Sequence, residues 1–316
     1  MSSDGRRAPV PPVAPADGVA LDARGLRSRA TVLGALRETF AARGYLEVPT
    51  PALVQSPAME EHLHAVAADG GFLRTSPEFA LKRVLAAGLG RIYEIGPCFR
   101  ARERGAWHRR EFTMCEWYRA GGSLEDGIEE TLGLIAAAAA ALEVELPAPV
   151  VCTVRGVFLE RTGLDPASAS ASDLSAHDES WDDAFARRWV TEVEPGLTGC
   201  VVVRDWPASQ AALARIRDDG PWPVAERFEV YLHGVELANA FYELTDPAEQ
   251  RRRFSSANAA RVAAGESPHP IDEALIAALP SVPPTVGVAL GVDRLVAALC
   301  RWDGIGPGRV DGPSSG

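Results

Sequence analysis

Several features that would sort a 316-residue chain quickly are scarce here. There are five cysteines, Cys98, Cys115, Cys152, Cys200 and Cys300, an odd number, widely spaced and without a CxxC pair. Such a set predicts neither a disulfide framework nor a zinc site, so a reducing cytoplasm is the expected compartment. No apolar run nears the roughly 20 residues that a membrane span needs, and the alanine-rich run 135–142 predicts a helix instead. The Pro-, Ala- and Gly-rich start lacks the apolar centre of a signal peptide. Positive charge is short as well: 32 Lys and Arg stand against 43 Asp and Glu, a net charge of −11. That argues against a general nucleic-acid binder, which needs a basic surface to neutralise phosphates.

What is present is 47% apolar residues, enough for a large core, and one local concentration of positive charge. Arg100, Arg102, Arg104, His108, Arg109 and Arg110 sit in a loop between two apolar runs with strand character, Arg91 to Phe99 and Phe112 to Arg119. Period two puts Phe112, Met114, Glu116 and Tyr118 on one face of the second run, and Thr113, Cys115 and Trp117 on the other. An aromatic, a carboxylate and a phenol on one face predict more than plain core. Guanidinium forks grip phosphate bidentately, so the loop suits a small anion. Taken alone it fits a solvated basic turn too.

The remaining elements follow in order. A helix is predicted over Leu26 to Phe40, stopping at Gly44, and then an extended YLEVPTPALV, in which Pro49 and Pro51 forbid helix. Residues 62–75 predict short strands about a Gly70-Gly71 turn. Ser76 and Pro77 open a helix from Glu78 to Ala87, with serine as its cap. Another helix spans Leu124 to Leu142. The polar stretch 167–183 predicts a surface connection. VVVRDW (201–206) is a strand, and 226–244 predicts two strands about His233-Gly234. A charged helix over Pro247 to Ala264 follows. The chain closes with a strand TVGVAL, Gly291 and a helix bearing Asp293 and Arg294.

Three of these spaced elements resemble the class II aminoacyl-tRNA synthetases. The first helix and the Pro49 segment look like motif 1, FRARERGAWHRREFTMCEWY like motif 2, and GVALGVDRL like motif 3. TSPEFALKR, ERFEVYLHGVELANAFYELTD and PASQAALARI narrow the likeness to lysyl-tRNA synthetase catalytic domains. The best fit is the shortened elongation factor P–(R)-β-lysine ligase family. About 25 residues precede motif 1, too few for an anticodon-reading OB barrel, and Ala289 stands where the tRNA enzymes have glycine. The resemblance implies an α+β fold, an antiparallel sheet flanked by helices. It sets a catalytic domain over 26–303 between a disordered tail, 1–25, and a flexible one, 304–316.

It also implies a cytoplasmic, ATP- and Mg²⁺-dependent ligase, homodimeric through motif 1. The enzyme would act on β-lysine and elongation factor P rather than on tRNA. Catalysis would be mostly alignment and charge stabilisation. Arg100 would meet the α-phosphate and Arg294 the γ-phosphate. Phe112 would stack on adenine with His108 nearby, and Glu103, Leu237 and Gly291 would complete the nucleotide site. Glu229 and Glu236 would hold Mg²⁺, although their spacing alone fits ordinary strand carboxylates equally. Glu78, Glu116 and Glu243, with Ser76, Tyr118, Asn239 and Ala289, would receive the diamino acid, whose ammonium groups need carboxylates. By itself Glu78 also fits a helix-dipole glutamate.

Three departures leave other readings open. Arg102 occupies the motif 2 glutamate position, with Glu103 one residue on. Arg109 and Arg110 replace an asparagine-proline pair, and the tail RWDGIGPGRVDGPSSG lacks the family ending. An enzyme acting on tRNA or another carrier, and a catalytically degenerate paralogue, are the alternatives.

Overall fold

A computed structural model describes residues 22–59, 63–175, 177–220 and 222–310. Helix α1 (Ala23–Ala42) begins where the Asp22 carboxylate caps the amides of Arg24 and Gly25. It buries Val32, Leu36 and Phe40, one residue per turn. Short strands β1 (Leu46–Glu47), β2 (Leu53–Val54), β3 (Val66–Ala68) and β4 (Gly71–Leu73) follow. The β3–β4 turn falls on Asp69 and Gly70, both at positive φ, one residue before the predicted Gly-Gly pair. After α2 (Glu78–Ala86) comes the long hairpin of β5 (Arg91–Phe99) and β6 (Glu111–Ala120), within a residue of expectation.

Then come α3 (Leu124–Ala141), β7 (Pro149–Thr153), α4 (Val154–Thr162), α5 (Ala171–Leu174), α6 (Trp181–Arg188), β8 (Cys200–Pro207) and β9 (Ile216–Arg217). The chain continues through β10 (Val224–Leu232), β11 (Val235–Tyr242), α7 (Pro247–Ala263), α8 (Glu273–Ala278), β12 (Thr285–Gly291) and α9 (Val292–Leu299). The stretch 167–183 is not a mere connection. Two of its serines are N-caps, Ser170 for α5 and Ser180 for α6, and α6 buries Phe185 beside Phe158 and Trp206.

Among the described residues a nine-stranded sheet runs β1-β5-β6-β12-β11-β10-β8-β7, with β9 beside β10. Its centre is antiparallel, as the α+β reading requires, while the edge strands β1 and β7 pair parallel with β5 and β8. Alternate residues of β6 divide as the period-two reading predicts. Cys115 and Trp117 enter the core with Phe40, which stacks on Tyr93 at 4.1 Å and meets Trp117 edge-on at 5.6 Å. Burying aromatics of this size contributes about 1.5–3 kcal/mol each.

Residues 304–310, expected to be a flexible tail, pack instead. Ile305 is buried and its amide donates to the Ala106 carbonyl at 2.9 Å. A Cβ at Gly25 would strike the Pro307 carbonyl, so this segment lies against the start of α1. Residues 1–21 and 311–316 of the two expected tails lie outside the described residues.

Candidate active site

The sheet register builds the site. Directly opposed residues of antiparallel strands project to the same face. Glu94, Glu116, Ala289, Asn239 and Glu229 therefore form one row across β5, β6, β12, β11 and β10. The next row holds Tyr118, Gly287 and Phe241. A cavity opens over these rows, and all the residues expected to bind amino acid or nucleotide line it.

One wall is cationic. The Arg100 guanidinium lies over the Phe112 ring at 5.0 Å and 3.7 Å from Glu103. Arg294, at the start of α9, donates to the Glu236 carboxylate and carbonyl, both at 3.2 Å, and lies 2.5 Å from His108 Nε2. Burial and the adjacent Arg294 lower the His108 pKa, which favours the neutral imidazole that can accept from Arg294. Arg102 points elsewhere. It pairs with Glu266 at 2.5 Å and with His64 at 3.1 Å, so Glu103, not Arg102, faces the cavity.

The opposite wall is acidic and buried. Glu116 accepts from Ser76 Oγ at 2.6 Å and from the Tyr118 hydroxyl at 2.7 Å. Burial, followed by the charge of Glu78, pushes its pKa up to about 8. Burial likewise raises Glu243 to about 8, against the pull of Lys82. Lys82 reaches from α2 to bridge Glu78 at 2.6 Å and Glu243 at 2.5 Å. Burial opposes its charge, yet the two carboxylates outweigh that cost and hold the ammonium above its ordinary pKa. Ser76 caps the helix opening less directly than expected. Pro77 is the N-cap residue, while the serine hydroxyl accepts from the Glu78 amide at 3.0 Å.

Glu229 is the one expected site residue that does not line the cavity. It is buried behind it, bonded to Arg227 and to the Tyr231 hydroxyl. Burial dominates its rise to about 7, with the charge of Glu236 adding to it against Arg227. Among the described residues no group of three or more His, Cys, Asp or Glu is gathered as a metal site.

Sequence reasoning passed over three residues that shape the site. Lys82 was readable as an i,i+4 partner of Glu78, but nothing local marks that pair as buried. Gly287 is another: a Cβ there would strike the Glu243 carboxylate and the Tyr118 ring. Asp293 is the third. Its carboxylate receives the Thr113 amide at 2.7 Å and pairs with Arg29 of α1, tying the predicted motifs 1, 2 and 3 together.

A cationic wall facing buried carboxylates on an antiparallel sheet is the arrangement expected of a class II synthetase. The family of tRNA synthetases class II (D, K and N) matches residues 23–306. Similar curated proteins include the elongation factor P–(R)-β-lysine ligase of Vibrio cholerae, 41% identical over 89% of this chain and 92% of that protein. Those of Vibrio vulnificus (42%; 86% and 90%) and Photorhabdus laumondii (41%; 86% and 89%) are alike. The chain belongs to this class II ligase family.

Proposed function

We propose that the protein is an ATP-dependent ligase that activates (R)-β-lysine, or lysine, as an aminoacyl adenylate. It then transfers the acyl group to a lysine ε-amine of elongation factor P. The observation that carries this is a single cavity in which Arg100 and Arg294 face buried Glu116 and Glu243. In the first step a substrate carboxylate oxygen attacks the α-phosphorus, the bond to the bridging oxygen breaks and pyrophosphate leaves. In the second the acceptor amine attacks the acyl carbon, AMP leaves and the amine gives up a proton. Arg100 stabilises charge at the α-phosphate and Arg294 at the γ-phosphate, the kind of preorganised stabilisation that supplies most of such a rate. Phe112 stacks on adenine, and Glu103, turned inward where Arg102 turns out, takes the adenine-side contact.

The substrate's ammonium groups seat on Glu116 with Tyr118 and on Glu243, and Ala289 forms the floor between Glu116 and Asn239. Its methyl raises that floor, which favours an amino group displaced to the β-carbon. Glu236 and Glu229 suit a hard divalent cation. The charge of Glu236 raises the cost of ionising Glu229, and a carboxylate bonded by Arg227 and Tyr231 keeps further lone pairs. Magnesium held there would neutralise phosphate charge. No helix among the described residues is long and apolar enough to cross a membrane, consistent with work in the cytoplasm. Exposed Leu46 on edge strand β1 offers the surface for a homodimer.

Pyrophosphate exchange with (R)-β-lysine, (S)-β-lysine, α-lysine and ornithine tests the first step. Labelling of elongation factor P against tRNA tests the second. Exchange is expected to be strongest with (R)-β-lysine, and label is expected on the protein. Exchange with none of the four, or label on tRNA alone, would overturn the assignment.

A further inference from the structure

The mechanism leaves one buried cation unused. Lys82 is 1% exposed, lies behind the cavity rather than on its surface, and bridges Glu78 and Glu243. A surface Glu-Lys pair at this spacing is a minor helix contact. Here both partners are buried and a second carboxylate, Glu243, completes the site.

We propose that Lys82 is a positioning residue that sets the charge of the amino-acid pocket, matching it to a substrate with two ammonium groups. The proposal rests on the functional reading above and deepens it. Three buried carboxylates, Glu78 on α2, Glu116 on β6 and Glu243 just after β11, face the same end of the cavity. With all three ionised, one internal ammonium cancels one charge and leaves two for the substrate's two ammonium groups. The other groups packed there are neutral, the Tyr118 phenol and the Ser76 hydroxyl, and both donate to Glu116.

The alternative to Lys82 is a proton. Burial already raises Glu243, and Lys82 is the chief group pulling it down. Without that ammonium Glu243 would keep its proton to a higher pH still, and the proton would have to leave before the substrate could bind. Lys82 thus holds Glu78 and Glu243 aimed before the amino acid arrives and lowers the pH at which Glu243 gives up its proton, so that binding has less of that proton to expel.

The test uses Lys82→Met in the full chain, which keeps the length of the side chain and removes its charge. Pyrophosphate exchange is followed from pH 6.5 to 9 with amino acid or ATP varied, alongside thermal unfolding. At pH 7 the KM for the amino acid should rise about tenfold, the equivalent of one pKa unit at the carboxylates. The rise should shrink toward pH 9, because the acidic limb of kcat/KM moves to higher pH. The KM for ATP should stay within about twofold, since the nucleotide wall is untouched, whereas a general collapse would move both constants.

The double variant Lys82→Met/Glu78→Gln restores the surplus of two charges, and its acidic limb should return toward the wild-type position. Should the single variant fail to fold, the double, which leaves no orphaned ion of that pair, is compared with wild type directly. An unmoved profile in Lys82→Met overturns the proposal, as does a parallel rise in both KM values. A double variant whose limb stays displaced overturns it too. Wild-type protein inactive with every diamino acid would overturn the functional reading and this one with it, so the two failures are distinguishable.

Discussion

The acidity of the amino-acid wall makes a strong and specific demand on pH. Burial raises Glu116 and Glu243 to about 8, yet each is expected to receive an ammonium group in its ionised form. At pH 6 such a carboxyl lies two units below its midpoint. Expelling the proton costs about 2.7 kcal/mol, so one group alone lowers capture about a hundredfold. kcat/KM for the amino acid should therefore climb by at least about fiftyfold from pH 6 to 8, the rise expected of one such group, then turn down as the substrate loses its own protons. The KM for ATP should move far less.

Glu116→Gln sharpens the test, because the amide imitates the protonated acid. Variant and wild type should converge near pH 6 and separate by pH 8. Stability gives an independent readout. The unfolded carboxyls ionise near 4.3, so between roughly pH 5 and 8 the folded state binds more protons than the unfolded one. The stabilisation is complete below the unfolded pKa and is lost as pH rises through the folded one. Each carboxyl sets an upper limit of about 1.4 kcal/mol per pH unit. Saturating diamino acid should flatten that slope. A kcat/KM that is level from pH 6 to 8, with an unfolding midpoint equally level, would refute the reasoning.

Other substitutions separate the two walls. Arg294→Ala removes the group that holds Glu236 and His108; it should cost about 10²–10³ in exchange rate while calorimetry shows amino-acid binding retained. Arg102→Ala should leave the KM for ATP within about twofold, because its partners lie outside the cavity and an exposed pair contributes under about 1 kcal/mol. Glu103→Ala should raise that KM, which steady-state kinetics at saturating amino acid will show. Gly287→Ala drives a methyl into Glu243 and Tyr118, so amino-acid activation should fall below detection while ATP still protects against thermal unfolding. Ala289→Gly lowers the pocket floor and should shift preference toward α-lysine by about 10-fold, measured as a ratio of kcat/KM values.

Much of this site was legible because its signals are local. The two-residue period of β6 separated Glu116 and Tyr118 from Cys115 and Trp117, and the residues expected from the motif series line one cavity, the expected metal ligand Glu229 excepted. What was missed depends on distance or context. Ser170 and Ser180 read as linker because serine and aspartate favour caps and loops alike; only the burial of Phe185 settles which. Parallel pairing of β1 and β7 leaves no mark within those segments. The bond between Arg29 and Asp293 joins residues 264 positions apart. Ile305 escaped because its core contacts lie with the motif 2 loop, and the residues around it are glycine, proline and charge.

The row across the sheet explains why the substrate side needs a cation at all. Glu94 has Arg74 at 2.8 Å, Glu229 has Arg227, and Glu78 and Glu243 share Lys82. Glu116 lies between Glu94 and Ala289 in the same row, but its hydrogen bonds come from two neutral hydroxyls. Among the described residues it has no ion-pair partner. Hydroxyls orient a carboxylate and lower its cost of ionisation without cancelling its charge, which leaves the group poised near neutrality instead of fully ionised. Replacing either hydroxyl with a fixed cation would settle Glu116 and stabilise the empty protein. It would also remove the vacancy that an incoming ammonium fills. On the proposed function the energetic deficit at Glu116 is the complement of the substrate's positive charge, and binding would restore what folding leaves unpaired.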